Sequence, residues 1–421
     1  MKRTVLIGFI LVGALLVWVI PHLSQPVFGQ AASMEAPHIG EGGLPQFQVN
    51  PNFPKVPAKW KLGNTSAVAV DADDNVWILS RPRTLAHPLN PSDTPDLTST
   101  PAPPVMEFDN DGNFIRGWGG ENGPGYLWPS DEHGITVDYK GFVWIVGNAD
   151  GKRNNPANLP NDSQILKFTK DGKFVMAIGK SGQIGSNATE VLRGPAGLHV
   201  YPKTNELFVS DGYGNSRVMV YDADTGKFKR MWGAYGNKPL DEADRPPRSK
   251  LVPIPVEPQW LNSHHIWVVV SEILQQFGSP VHDVTVSSDG LVYVCDRGNK
   301  RIQVFTTDGK FIAEQFVGLD NSYVDQARGA AFSPDERFLY VAGQAPVIWI
   351  LNRRTLEVLG SFDMHSTLEF PPGHLIAADH KGNIYAAHNA SGNLGAPKFV
   401  FKGYSPRTPC PPCQSTRTVP K

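Results

Sequence analysis

One segment recurs along this chain, and its recurrence limits the fold more than any local pattern. It is clearest from Leu207 to Gly233, "LFVSDGYGNSRVMVYDADTGKFKRMWG". Apolar and polar residues alternate, a turn intervenes, alternation resumes, a second turn falls at Asp-Thr-Gly, and alternation resumes again. Period-two alternation is the signature of half-buried strands, so the segment predicts a three-strand antiparallel meander with short turns. Versions recur in "SQILKFTKDGKFVMAIG", "VYVCDRGNKRIQVFTTDGKFIAEQFVG" and "LYVAGQAPVIWILNRRTLEVLGSFD". A unit of this kind cannot bury its apolar face alone and must stack against copies of itself, and four-stranded units of this length imply a β-propeller.

Six such units can be traced. They begin at "SAVAVDADDNVWILSR", "PSDEHGITVDYKGFVWIVG", "GPAGLHVYPKTNELFVSDGY", "SPVHDVTVSSDGLVYVCD", "ARGAAFSPDERFLYVAG" and "PPGHLIAADHKGNIYAAHN". The chain therefore reads as all-β, a six-bladed propeller over residues 60–404, with a Pro-rich linker before it (30–59) and a Pro-rich tail after it (405–421). A Pro/Ser/Thr-rich insertion interrupts the first blade, and a longer one, residues 237–276, follows the third. Loops of that length in a compact fold tend to serve as lids or partner surfaces; His264 and His265 lie in this one and read first as a surface pair.

Lys2 and Arg3 precede an apolar run of about 16 residues, Val5 to Ile20, short of the roughly 20 needed to span a bilayer. Residues 1–29 read as a signal peptide, or as a retained membrane anchor, and predict export to a periplasmic or extracellular location. Of the three cysteines, Cys410 and Cys413 form CPPC in the tail, where an oxidising compartment would permit a local disulfide; Cys295 falls inside a repeat. The net charge of −1 carries no electrostatic footprint of a nucleic-acid partner, and no Gly-rich phosphate loop is present.

The register of the repeats picks out a set of residues. The start of each innermost strand can be matched between blades, giving Ser66, His133, Ala196, His282, Arg328 and His374. Histidine occupies blades two, four and six, and alternate blades of a sixfold ring are about 120° apart. Three imidazoles meeting on the axis with one position open form the ligand set of a catalytic zinc, or of another divalent transition metal. A second matched ring follows the next strand: Arg81, Asn148, Gly212, Arg297, Gln344 and Asn389, with Tyr213 one residue further in blade three. Two arginines there can hold a carboxylate, and a tyrosine beside a metal and two cations is a candidate base.

These residues carry a resemblance. The blades look like NHL repeats, and roughly Ser66 to Phe401 resembles the lyase domain of peptidylglycine α-amidating enzyme. "LFVSDGYGNSRV" matches the segment of that family's catalytic tyrosine and places it on Tyr213. The family's zinc histidines fall on His133 in "EHGITVD", His282 in "PVHDVTV" and His374 in "GHLIAAD"; its two active-site arginines fall on Arg81 and Arg297. The resemblance also implies a structural calcium, held by two backbone carbonyls (here Val68 and Ile135) and by an aspartate just after the third histidine. Here that residue is Leu375, which weakens the case for calcium, and "PPGH" stands where the family has Met-Pro-His.

The resemblance implies an exported zinc-dependent lyase that cleaves a peptidyl-α-hydroxyglycine-like substrate, a small molecule or peptide bearing a carboxylate, to an amide and glyoxylate. Two other readings are compatible with the same fold: another metal-dependent propeller enzyme such as a hydrolase, and a non-catalytic propeller that binds partners.

Overall fold

The computed structural model describes residues 43–89, 94–149, 162–179, 186–245, 275–318, 326–343, 347–363, 373–389 and 395–405. Their strands form six antiparallel four-stranded sheets. The innermost strands are Asn64–Val70, Glu132–Val137, Pro195–Tyr201, Asp283–Val286, Gly329–Phe332 and Ile376–Ala378. Each of them packs against the next, and the sixth packs against the first, so the six sheets close into a propeller.

Closure differs from the sequence expectation. Residues 30–59 read as a linker, yet Leu44–Asn50 is a strand. It pairs antiparallel with Lys398–Ser405, Leu44 opposite Ser405 and Asn50 opposite Lys398, as the outermost strand of blade six. The ring therefore begins at residue 44 rather than 60, and first and last strands share one sheet. Pro45 hid the strand from a periodicity reading. Proline is tolerated on an edge strand, and the ladder is irregular between Pro45 and Phe47. Phe47 then packs on Tyr340, Phe362 and Phe401, with ring centroids 5.7, 4.7 and 6.2 Å away, which ties blade six to blade five.

One turn device recurs where the innermost strand meets the second. In blade one the Asp71 carboxylate accepts the backbone N–H groups of Asp73 and Asn75 and the indole N–H of Trp77, at 3.0, 2.9 and 3.1 Å. Asp138 does the same for Lys140, Phe142 and Trp144. Asp379 does so for Lys381, Asn383 and the Tyr385 hydroxyl. The aspartate shapes the turn, and the aromatic six residues later can then be buried without an orphaned donor. Trp77, Trp144 and Tyr385 are wholly buried. Apolar side chains from facing sheets of neighbouring blades, such as Phe208 and Val220 with Val292 and Phe305, fill the wedges between them.

Replacing Phe47 with alanine is expected to lower stability by about 2 kcal/mol, roughly half the cost of emptying a fully buried Phe site. Equilibrium denaturation measures it. No change would mean that Leu44–Asn50 does not close the ring.

Candidate metal centre

Each histidine sits where its innermost strand begins. In blade two the ladder shifts register between Glu132 and Gly134, which leaves His133 at a β-bulge. A bulge re-aims a side chain that would otherwise lie flat against the sheet. Gly134 follows because a Cβ there would strike the Ala196 carbonyl. His282 immediately precedes its strand and His374 stands two residues before its own; their backbone N–H groups reach the carbonyls of Cys295 and Ala387, at 2.8 and 2.7 Å.

The three imidazoles meet. Their ring centroids form a nearly equilateral triangle, 4.8 Å from His133 to His282, 4.8 Å from His133 to His374 and 4.6 Å from His282 to His374. All three are buried, and one ligand atom from each lies within 4.8 Å of the others.

The other three members of the matched ring hold them in place through their backbones. Nδ1 of His133 meets the carbonyl of Ala196 at 2.9 Å, that of His374 meets Ser66 at 2.5 Å, and that of His282 meets Arg328. A carbonyl only accepts, so each Nδ1 carries the proton and each Nε2 presents a lone pair. Burial, reinforced by neighbouring charges, pushes all three pKa values well below the usual range, so the rings are neutral. The Tyr213 hydroxyl lies 2.9 Å from Nε2 of His133 and 3.1 Å from Nε2 of His282. One hydroxyl proton cannot serve two lone pairs. Converging, unprotonated imidazole nitrogens fit a divalent transition metal, whose charge satisfies all of them together.

Tyr213 and Arg297 are presented by the same loop device. In "SDGYGNSR", buried Asp211 takes the Arg217 guanidinium at 2.9 Å and the Asn215 amide at 2.7 Å. In "CDRGNKR", buried Asp296 takes Arg301 at 2.7 Å and the Asn299 amide at 2.8 Å. Between the clamped ends, the Tyr213 backbone N–H donates to Gly194 at 3.1 Å and its carbonyl accepts from the Ser279 hydroxyl at 3.0 Å. Gly212 is required there, since a Cβ would strike the Val281 backbone. The structure brings Arg297 Nη1 to 3.2 Å from the Tyr213 hydroxyl.

Arg81 is held differently. Its Nε lies 2.8 Å from the Asp131 carboxylate, and its Nη1 donates to the Asn389 side chain at 2.9 Å. Asp131 also takes Arg83 at 2.6 Å, and the Asn148 amide reaches its other oxygen at 3.0 Å once turned to donate. Asp162 shapes the turn beneath, accepting the N–H groups of Ser130, Asp131 and Ala149. Beside them, burial pushes the Glu132 carboxyl up to about 7, although it accepts the Trp128 indole N–H at 3.0 Å. Sequence reasoning named Arg81, Asn148 and Asn389 but missed Asp131, which no repeat position marks. It also left the two Asp–Asn–Arg clamps unread, although "SDGYGNSR" and "CDRGNKR" display them.

The donors expected for calcium do not fit that ion. Leu375 is buried in an apolar cluster with Ala67, Ala69 and Ile135 and offers no oxygen. The carboxylate that directly follows a histidine of the triad is instead Asp283, whose oxygens accept the N–H groups of Val284 and Ala330. Gln344, His264, His265, Cys410, Cys413 and the N-terminal segment lie outside the described residues. Cys295 is buried and free.

Two measurements probe this geometry. Depressed histidine pKa values mean that protons do not compete for Nε2 until well below pH 6.5. Zinc affinity is therefore expected to change less than about twofold from pH 8 to pH 6, where three ordinary histidines would lose roughly 70-fold. Titration against a competing chelator tests this, and a steep loss by pH 6 refutes the neutral triad. Arg217→Met leaves buried Asp211 without its counter-charge and is expected to cost about 3–5 kcal/mol; a change below 1 kcal/mol in denaturant unfolding would show that the clamp is dispensable.

With the geometry in place, the sequence can be set beside known proteins. A profile of the NHL repeat matches residues 281–305, from the approach to His282 through the Arg297 loop. NHL repeat-containing protein 3 of Mus musculus is 27% identical over 306 residues, 68% of this chain and 70% of that protein. Peptidylglycine alpha-amidating monooxygenase of Rattus norvegicus is 25% identical over 259 residues, 60% of this chain but 22% of that protein. Peptidyl-glycine alpha-amidating monooxygenase A of Xenopus laevis is 28% identical over 260 residues, 60% of this chain and 23% of that protein. The chain thus matches less than a quarter of the length of these amidating monooxygenases. It is a six-bladed propeller with an NHL repeat, similar both to an NHL repeat protein and to part of the amidating monooxygenases.

Proposed function

We propose that this protein is an exported, zinc-dependent carbon–nitrogen lyase that cleaves a peptidyl-α-hydroxyglycine-like substrate to an amide and glyoxylate. One observation supports it most. The Tyr213 hydroxyl sits on two of three converging imidazole nitrogens and within 3.2 Å of Arg297, so a base, a cation and a metal-ligand set share one point. The similarity to amidating monooxygenases agrees with this reading.

A divalent metal held by the Nε2 atoms of His133, His282 and His374 would supply Lewis-acid polarisation of the substrate's oxygen. Arg81 and Arg297 bind the substrate carboxylate, and their fixed anchoring lets them stabilise charge as it develops. The Tyr213 oxygen takes the proton of the α-hydroxyl as its own hydroxyl proton passes to the departing nitrogen. As that O–H bond breaks, the oxygen's electron pair forms the carbonyl of glyoxylate and the C–N bond breaks. Its electrons leave on nitrogen, which takes up a proton to become the amide. Protons and electrons balance with no oxidant.

The substrate is a carboxylate-bearing small molecule or peptide, and no nucleic acid takes part. The apolar N-terminal run supports placement outside the cytoplasm, in the periplasm or beyond, with a membrane tether if the run is kept. A non-catalytic binding propeller is the second reading, favoured by similarity to NHL repeat-containing protein 3 over more of the chain.

Zinc-replete protein is expected to release glyoxylate from a hydroxyglycine substrate. Tyr213→Phe should reduce kcat by about 10²-fold or more, the usual loss of a general base. No glyoxylate from metal-loaded protein, or full activity in Tyr213→Phe, rejects the lyase and leaves the binding module.

A further inference from the structure

We propose that Tyr235 is a positioning residue for Arg297: it braces the ion pair that holds the Arg297 loop, and so sets how well that arginine grips a carboxylate. The inference rests on reading Arg297 as a carboxylate contact; it does not depend on the bond that is cleaved.

Arg297 opens a single 3₁₀ turn, Arg297–Asn299, directly after Asp296. The place of so short a turn follows Asp296, whose carboxylate accepts the Gly278 N–H at 2.8 Å, the Asn299 amide at 2.8 Å and Arg301 Nε at 2.7 Å. Arg301 in turn holds Asp296. Its Nη1 donates to the Tyr235 hydroxyl at 2.8 Å and to the Glu314 carboxylate at 3.1 Å, and its Nη2 donates to the Gln276 carbonyl at 3.1 Å. Tyr235 stands just before the 237–276 insertion and Gln276 ends it. Both flanks of that insertion therefore meet on one guanidinium, a single ion pair away from the Arg297 loop.

Tyr235 is held in a conformation that tyrosine rarely adopts. Its φ is +57°, in the left-handed region, where a bulky residue is an outlier. Such a backbone persists only where its surroundings over-determine it. Here they do. Its N–H donates to the Gln303 side chain at 3.1 Å, and its hydroxyl lies 3.0 Å from each Glu314 carboxylate oxygen. Its ring centre is 4.9 Å from that of Phe311 and 5.0 Å from the Arg301 guanidinium, a cation–π contact. Burial pushes its hydroxyl up to about 12, so the phenol keeps its proton, donates to Glu314 and accepts from Arg301.

The clamp of blade three is braced differently. Arg217 pairs with Asp211 through Nε as Arg301 pairs with Asp296, but its Nη atoms donate to the backbone carbonyls of Ser186, Ala188 and Val191. In blade four the same guanidinium edge meets two side chains, Tyr235 and Glu314. Hydrogen bonds to a charged group are among the stronger ones a side chain makes. Without the phenol oxygen, Arg301 Nη1 leans on Glu314, whose side chain is partly exposed, and its hold on Asp296 slackens. A misplacement of about 1 Å by a change remote from the reacting groups can cost roughly 10²-fold in rate. A slackened turn moves Arg297 by less and costs correspondingly less.

Calorimetric titration of zinc-replete full-length protein with acetate tests this. Tyr235→Phe keeps the ring and removes the hydroxyl; it should weaken acetate binding about fivefold and leave zinc affinity within about twofold. That loss should persist in Arg81→Gln protein and fall below about 1.5-fold in Arg297→Gln protein, a split that a merely structural tyrosine would not produce. Tyr201→Phe, which removes a hydroxyl bound to the Ser288 carbonyl, should leave acetate binding within about 1.5-fold. Glu314→Gln weakens the same brace from its other side; it should reproduce the loss, and it decides if Tyr235→Phe does not fold. Unchanged acetate affinity in folded Tyr235→Phe, or an equal loss in the Arg297→Gln background, overturns the inference alone. Where Arg297→Gln binds too weakly to titrate, an equal loss in Tyr201→Phe overturns it instead. Wild-type protein that binds no acetate, or binding that Arg297→Gln leaves unchanged, overturns the carboxylate reading and this inference with it. An Arg297-specific loss in protein that makes no glyoxylate sinks the lyase alone.

Discussion

The contact on which the site depends is a hydrogen bond from an imidazole Nδ1 to a backbone carbonyl in the next blade. It is made three times, from blade two to three, four to five and six to one. Each fixes a tautomer, and the tautomer decides which nitrogen faces the axis. Each also crosses a blade junction, and the third crosses the junction where the ring closes. A ligand bound by the Nε2 atoms therefore fastens the propeller as well as itself. Binding energy of that kind is folding energy, worth about 4 kcal/mol at a thousandfold excess over Kd. The first and last strands close the same ring at its outer edge, so closure is held at the rim and at the hub.

The loops show how one scaffold can carry different chemistry. Asp211 with Arg217, and Asp296 with Arg301, are wholly buried ion pairs that fix the loop ends in blades three and four. A buried pair of this kind is costly to break, although it adds little net stability over an apolar pair of similar shape. Its effect is positional. Between the fixed ends the presented residue can differ, and it is Tyr213 in one blade and Arg297 in the next. Blade one has no such clamp, and Arg81 is positioned across blades instead, by Asp131 and Asn389. Its orientation therefore depends on the turn that Asp162 shapes, a longer chain of contacts than the one behind Arg297.

Much of this was legible because propeller geometry turns sequence register into angle. Once the repeats were aligned, His133, His282 and His374 had to fall on alternate blades, and Tyr213 on a neighbouring loop. What could not be read has a physical cause in each case. The carbonyls of Ser66, Ala196 and Arg328 leave no trace in sequence, because every residue has one. Asp131 stands in the turn just before its blade's innermost strand, where the other blades carry no matching carboxylate to mark it. Leu44–Asn50 carries a proline that breaks the period, and its partner strand lies some 350 positions away, beyond the reach of any local pattern. Leu375 was legible as a missing carboxylate, but only the folded chain shows that apolar neighbours fill its surroundings.

A binding propeller and a metal-dependent lyase could share this backbone. The buried hub bears on the choice through its energetics. Three neutral imidazoles aim lone pairs at a common point, and the Tyr213 hydroxyl brings one proton to two of them. A buried acceptor left without a donor costs about 1–3 kcal/mol. A scaffold that merely needed to fill its axis could do so with leucine or valine and avoid that cost, as Leu375 does one position along. Lone pairs brought together at such a cost make sense where a cation meets them. Tyr213 and Arg297 beside the same point add groups that a purely structural ion would not need.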